Sequence, residues 1–320
     1  MSKRVTIIGA AVLDIMAGSV DAKLFEKGSV PAQYVGVSCG GDALNESVVL
    51  SNLGLYTELV TLLGNDDASR LIFKCLRDNG VATKKITISD IIPTGINIVL
   101  VDSNGERFFV TNPASSLRKL SKEHILPYVS DMGDIVSFAS IFVSPMLPVN
   151  HMEEIFKAVK AEPGRILVAD MTSAKNGERI EDLEPILGYI DYIIPNEKEA
   201  ALLTGKSEPH LSAKTFIEHG AKCVIIKCGR NGCIYESASQ SGIVPAYPAS
   251  LIDTTGAGDS FVSGFIYGLS KNMGFEDCCR LGCSVASIVV EHMGTQGMDI
   301  TIEEVNRRYN GLKEACGKTF

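Results

Sequence analysis

Short runs of β-branched and other apolar residues alternate with amphipathic stretches along most of this chain, and that alternation limits its fold more than any other feature. VTIIGAAV, TELVTLLG, GDIVSFAS, RILVAD, YIDYIIP and KCVIIKCG are continuous apolar segments bounded by Gly, Pro or Asp, as expected of strands buried on both faces. Between them ALNESVVLSNLG, ASRLIFKCLRDNG, MEEIFKAVKAE and LSAKTFIEHGA repeat apolar residues at helical spacing. Strands that alternate with helices pair in parallel, because each crossover returns the chain to the same edge. The expected fold is therefore α/β, a three-layer α/β/α sandwich with a mainly parallel central sheet. No internal repeat, low-complexity tract or linker divides residues 1–320, which read as a single domain.

Composition agrees with that layering and removes several classes of function. With 45% hydrophobic residues, only 7% aromatics and no Trp among 320 residues, the core must rest on Ile, Val, Leu and Ala, as a sheet covered on both faces does. A net charge of -8 lacks the basic field that nucleic acid or an anionic membrane surface would require. The 9 cysteines are an odd number and include the adjacent pair Cys278-Cys279 on an apolar helical pattern. They read as reduced thiols of a cytoplasmic protein, and their spacing offers no zinc set. Lys3-Arg4 before VTIIGAAVL imitates a secretory leader, but Asp14 interrupts it without a clear cleavage site. No apolar run approaches the ~20 residues of a membrane-spanning helix.

One region breaks the rhythm. TGINIVLVDSNGERFFVTN reads as two alternating strands around Ser103-Asn104-Gly105, a hairpin signal. The stretch from Val12 to Cys39 is also extended and poorly helical. The segments at about 12–39 and 94–112 could pair as a small lid standing off the main body, or as an antiparallel edge of the main sheet.

The chemistry-bearing residues cluster at glycine steps. In DTTGAGDS, Asp253 to Ser260, the glycines open a helix running from about Ala257 to Ser270. There the first amides lack intrahelical partners and the macrodipole favours an anion. Gly256 and Gly258 put no side chain in the way of a phosphate. Asp259 stands beside that site, and the helix end should favour its ionised form. A Gly-rich turn with an acid in the first helical turn is the plain alternative. Cys39-Gly40-Gly41-Asp42-Ala43-Leu44-Asn45 is a second step, with Asp42 read as an N-cap and Asn45 as a carboxamide available to a polar ligand. Asn196 and Glu199 have the spacing of a reciprocal capping box. Asp14 and Asp170 end apolar runs, where ligands of open α/β sheets collect. No GxGxxG and no GxxxxGK[ST] occurs, which disfavours a dinucleotide enzyme or an ordinary P-loop NTPase.

Taken in order, Asp14, Gly40-Gly41 with Asn45, Asn196-x-x-Glu199, Lys227-Cys228-Gly229 and Asp253-Thr254-Thr255-Gly256-Ala257-Gly258-Asp259-Ser260 resemble the ribokinase, or PfkB, family of sugar and nucleoside kinases over essentially the whole chain. The resemblance implies transfer of the ATP γ-phosphoryl group to a hydroxymethyl group, with Asp259 as general base and the Gly256, Ala257 and Gly258 amides as anion hole. It assigns Asp14, Gly40, Gly41 and Asn45 to the acceptor. It assigns Lys227, Gly229, Thr255, Gly256 and Gly258 to the nucleotide, and 286–297 to the adenine side. Asn196 and Glu199 would organise Mg²⁺ through water, and Asp253 permits a K⁺ site. The lid would close over the sugar and permits a homodimer. Ser144-Pro145-Met146 and Asp170-Met171-Thr172, with Lys175 nearby, depart from the ribokinase subgroup. The acceptor expected is thus a sugar or sugar derivative other than ribose; a nucleoside or vitamin-precursor kinase, or a non-catalytic sugar or nucleotide sensor, is the alternative.

Overall fold

The computed structural model describes residues 3–21, 23–102, 107–292 and 300–317. Among them the strands are, in chain order, Val5–Ile8 (β1), Val12–Gly18 (β2), Tyr34–Gly40 (β3), Thr57–Gly64 (β4), Ile86–Ser89 (β5), Ile96–Val101 (β6), Arg107–Thr111 (β7), Ile135–Ile141 (β8), Ile166–Met171 (β9), Tyr192–Ile193 (β10), Cys223–Lys227 (β11), Cys233–Ser237 (β12) and Ser241–Val244 (β13). The apolar runs do become strands, although YIDYIIP supplies only the two residues of β10.

The main sheet has the order β13-β12-β11-β10-β9-β8-β1-β4-β5. From β11 to β5 every pairing is parallel; β12 and β13 add an antiparallel edge. All eight residues of β4 are buried, which is why its sequence shows no polar alternation. Helices Asp42–Asn52, Asp67–Asp78, Ala257–Ser270 and Phe275–Val289 pack on one face, and Val149–Lys160, Ile180–Leu187, Glu197–Thr204 and Pro209–Glu218 on the other. Gly264 lets two helices touch: a Cβ there would stand 2.5 Å from Leu281 O. The chain leaves β1 toward β4 on one side and later continues from β8 on the other. That reversal opens a crevice at the carboxyl ends of the central strands.

β3-β2-β6-β7 form a separate four-stranded sheet, so the two extended segments make a lid and not an edge of the main sheet. β2 runs antiparallel to β3 and parallel to β6. The Ser103-Asn104-Gly105 tip lies outside the described residues. Asp14 does not close the first strand, as its position after an apolar run suggested. β1 ends at Ile8, and Asp14 belongs to the lid strand β2, opposite Ser38 and Asn97. On the sheet's other face Val35, Val37, Ile98, Phe108 and Val110 are all exposed.

Candidate active site

Four buried or half-buried carboxylates and one ammonium converge at the crevice. A cleft of about 370 Å³ is lined by Asp42, Asp170, Asn196, Glu199, Lys227, Gly229, Gly258 and Asp259, together with Ser140, Met171 and Thr172. The main strands and helix N-termini that end here were separate in sequence; the parallel sheet gathers them at one rim.

Asp259 lies in the first turn of Ala257–Ser270, and Gly256 at the N-cap adopts the left-handed conformation, φ 70°. One donor among the described residues reaches its carboxylate: Asn45 Nδ2, 2.7 Å from Oδ2. The carboxamide expected to meet a polar ligand is thus hydrogen-bonded to the Asp259 carboxylate. Burial, with the nearby Asp42 and Asp170, pushes the Asp259 carboxyl up to about 7 against the opposing pull of Asn45 and Lys227. The helix end is expected to favour the ionised form; lost hydration here outweighs that contribution.

Two of the three amides assigned to an anion hole differ from the third. The Ala257 N–H donates to Thr254 O at 3.2 Å and closes the turn. Among the described residues no acceptor is hydrogen-bonded to the Gly256 and Gly258 amides. Asp253 is buried, and its Oδ1 accepts from Thr255 N at 3.0 Å and Thr255 Oγ1 at 2.8 Å. This turn orients the glycine step.

The second glycine step is built otherwise. Gly41, and not Asp42, occupies the N-cap, with φ 99°; a Cβ there would meet Ala10 O at 2.6 Å. The Asp42 carboxylate reaches across to β1's exit, where Oδ1 accepts from Ala10 N at 2.9 Å and from Ala43 N at 2.6 Å. Burial raises its pKa, opposed by Ser140 and these amides. Gly40 lies under Asp14, whose Oδ2 would stand 2.2 Å from a Cβ. Asp14 Oδ1 accepts from Asn97 Nδ2 at 2.8 Å.

Lys227, at the end of β11, forms a buried ion pair with Asp170 at the end of β9. Burial alone would lower the Lys227 pKa; Asp170, Glu199 and Asp259 together outweigh it and hold the ammonium charged. Asn196 and Glu199 do form the reciprocal capping box: Asn196 N donates to Glu199 Oε2 at 2.8 Å, and Glu199 N to Asn196 Oδ1 at 2.9 Å. Burial, with Asp170 adding to it, lifts the Glu199 carboxyl to about 7 against Lys227 and Asn196. Among the described residues no three His, Cys, Asp or Glu side chains converge to chelate an ion. Oxygen donors here suit a hard cation that keeps its waters.

Lys227, Gly229 and Gly258 also border a second, more apolar cleft of about 550 Å³. Tyr247, Pro248, Leu251, Ala257, Phe261, Ala286 and Val290 line it, a surface suited to a flat aromatic ring. The 294–297 part of the adenine-side segment lies outside the described residues. Among those described, no helix is long and apolar enough to cross a membrane.

Sequence reasoning did not find Ser140 or Asn97. Ser140 hides at the end of an apolar run. Asn97 is the polar residue of INIVLV, and alternation alone reads such a residue as solvent-facing.

A family model described as "pfkB family carbohydrate kinase" matches residues 2–302. A 2-dehydro-3-deoxygluconokinase of Haemophilus influenzae is 27% identical over 308 residues, 90% of this chain and 97% of that one. A bifunctional ribokinase/ribose-5-phosphate isomerase A of Fructilactobacillus sanfranciscensis is 26% identical over 81% of this chain, which spans 47% of its length. Among solved structures, a putative ribokinase II from E. coli in complex with ATP and Mg²⁺ superimposes with a TM-score of 0.78 at 23% identity, covering 97% of this chain and 100% of that one.

Proposed function

This chain belongs to the pfkB family of carbohydrate kinases, and we propose that it transfers the ATP γ-phosphoryl group to a hydroxymethyl group of a small sugar or sugar derivative, with Asp259 as general base. The observation that carries the assignment is the Asp259 environment: a half-buried carboxylate with one donor among the described residues, lifted to about 7, beside two helix-end amides that no described acceptor engages. A base with a pKa near the working pH exchanges a proton most effectively.

Adenine fits the apolar cleft, and the polyphosphate would cross from it at Lys227, Gly229 and Gly258, the residues the two clefts share. The acceptor would lie under the lid, within reach of Asp14 and Asn45. Its hydroxyl oxygen forms a bond to the γ-phosphorus as the bond to the β–γ bridging oxygen breaks, and ADP leaves with that electron pair. Asp259 takes the hydroxyl proton. The Gly256 and Gly258 amides and Lys227 face the charge on the transferring group, where fixed donors lower the barrier most. The Ala257 amide has a smaller part, because Thr254 O already occupies it.

Mg²⁺ fits this donor set, and Asn196 and Glu199 would hold it through water; when bound it neutralises phosphate charge that the surrounding carboxylates repel. Asp253, buried and anchored by Thr255, is the residue to hold K⁺. The assignment is tested with a panel of hexoses, ketoses, sugar acids and nucleosides and a coupled ADP readout. Turnover of one sugar class is expected. Stabilisation by ATP without ADP from any acceptor would instead indicate a sensor.

The exposed apolar face of the lid supports a homodimer in which two lids pack face to face. Five large apolar side chains on one sheet face are more than an isolated monomer usually presents. Val37→Asp should convert the dimer to monomer in sedimentation; a monomeric parent protein would sink the idea.

A further inference from the structure

Glu46 is buried completely, 0% exposed, one residue beyond Asn45 on the helix Asp42–Asn52. Oε2 accepts from Ser137 Oγ of β8 at 2.7 Å, while Oε1 has no hydrogen-bond partner. No Lys, Arg or His among the described residues forms an ion pair with it. The charged groups that act on it most strongly are acidic: Asp259 on the catalytic helix, Asp170 at the end of β9, and Asp42 on its own helix. Burial raises its pKa most, and those carboxylates add to the rise. An ionised carboxylate with a single neutral donor in such a place is strongly disfavoured, which is why buried acids take up a proton.

Position gives this buried acid a task. The Glu46 side chain ties its helix to β8. Its backbone carbonyl faces the catalytic helix, where Ser263 Oγ stands 3.4 Å from Glu46 O and 2.8 Å from Asp259 O. Asn45 on the same turn reaches Asp259. Packing alone would be served as well by an apolar side chain, so the polar bond fixes something that packing does not: the rotation of this helix about its axis.

We propose that Glu46 is a positioning residue of the proton-accepting site, an uncharged carboxylic acid whose bond to Ser137 fixes Asn45 against Asp259 without placing another negative charge beneath the base. The proposal rests on Asp259 being that base.

Infrared difference spectra of the wild type and Glu46→Gln at pH 7.5 test the protonation state. A carboxylic-acid carbonyl band should be present in the wild type and lost in the variant; its absence from the wild type would overturn the proposal. Glu46→Met keeps the volume and removes the polar bond. It should lower kcat by at least about 10-fold, as small misplacements of catalytic groups do, with ATP affinity within about 3-fold by thermal shift. Glu46→Gln, which still accepts from Ser137, should recover most of that loss. Unchanged kcat in Glu46→Met, or no recovery in Glu46→Gln, would refute the positioning role. Should Glu46→Met not fold, Ser137→Ala tests the same bond, with unchanged kcat again the refuting result. If instead Asp259→Asn stays active, the base assignment fails while the infrared result for Glu46 stands.

Discussion

The helices Asp42–Asn52 and Ala257–Ser270 begin alike, each with a glycine of positive φ at the N-cap and an aspartate in the first turn. Their aspartates nonetheless do different things. Asp42 is held by the Ala10 and Ala43 amides and by Ser140; it joins the helix to the end of β1. Asp259 has one donor among the described residues, Asn45. Both carboxyls are raised by burial, but at Asp42 three donors offset part of that cost for the anion, whereas at Asp259 a single donor offsets less of it. The number of donors, which local sequence does not reveal, separates the acid that braces β1 from the proposed base.

The strongest way to break this comparison is Asp259→Asn. It should lower kcat by about 10²–10⁴-fold, the usual contribution of a general base, with ATP binding retained; measurable turnover near the wild-type rate would make the two aspartates equivalent. The same substitution should stabilise the fold. The folded Asp259 carboxyl is raised above its unfolded value, so its ionisation costs stability as pH rises from about 4 to 7. Asp259→Asn should therefore be more stable than the wild type at pH 8, by up to about 4 kcal/mol for a carboxyl raised from 3.8 to about 7, and the gain should vanish near pH 4. Thermal melts at the two pH values check this.

Asn45→Ala sharpens the contrast with a smaller effect. Removing the one donor raises the Asp259 pKa further, so the acidic limb of kcat should move to higher pH, with a loss of about 10-fold at pH 7. A pH–rate profile identical to wild type would separate Asn45 from the base. The smallest catalytic effect is expected of Asp42→Ala. It leaves two amides without their acceptor and should cost about 1–3 kcal/mol of stability by denaturant melts, and because Asp42 helps to raise the Asp259 pKa the acidic limb should move slightly to lower pH.

Much of this arrangement is legible in the residues. Continuous apolar runs give the parallel sheet, because strands covered on both faces cannot alternate. The DTTGAGDS step marks a helix N-terminus, since glycine most readily adopts the left-handed N-cap conformation that Gly256 takes. Asn196-x-x-Glu199 reads correctly as a capping box. The lid was recognisable as an irregularity, but its separation from the main sheet was not, because period-two alternation fits an edge strand and a free-standing sheet equally. Asp14 illustrates the consequence: the break between β1 and β2 moves it from the main sheet to the lid, where Asn97 meets it.

By itself, then, the sequence determined the layers, the two glycine-opened helices and the identities of the groups at their ends, all of which depend on neighbours within a few residues. Only the tertiary structure decided that Asn45 reaches Asp259, that Lys227 pairs with Asp170, and that Glu46 is buried with no cationic partner among the described residues. Those contacts join residues 57 to 214 positions apart or bury a group completely. Hydration and long-range charge, which fix the proton affinities at this site, are properties of the assembled rim and of no segment alone.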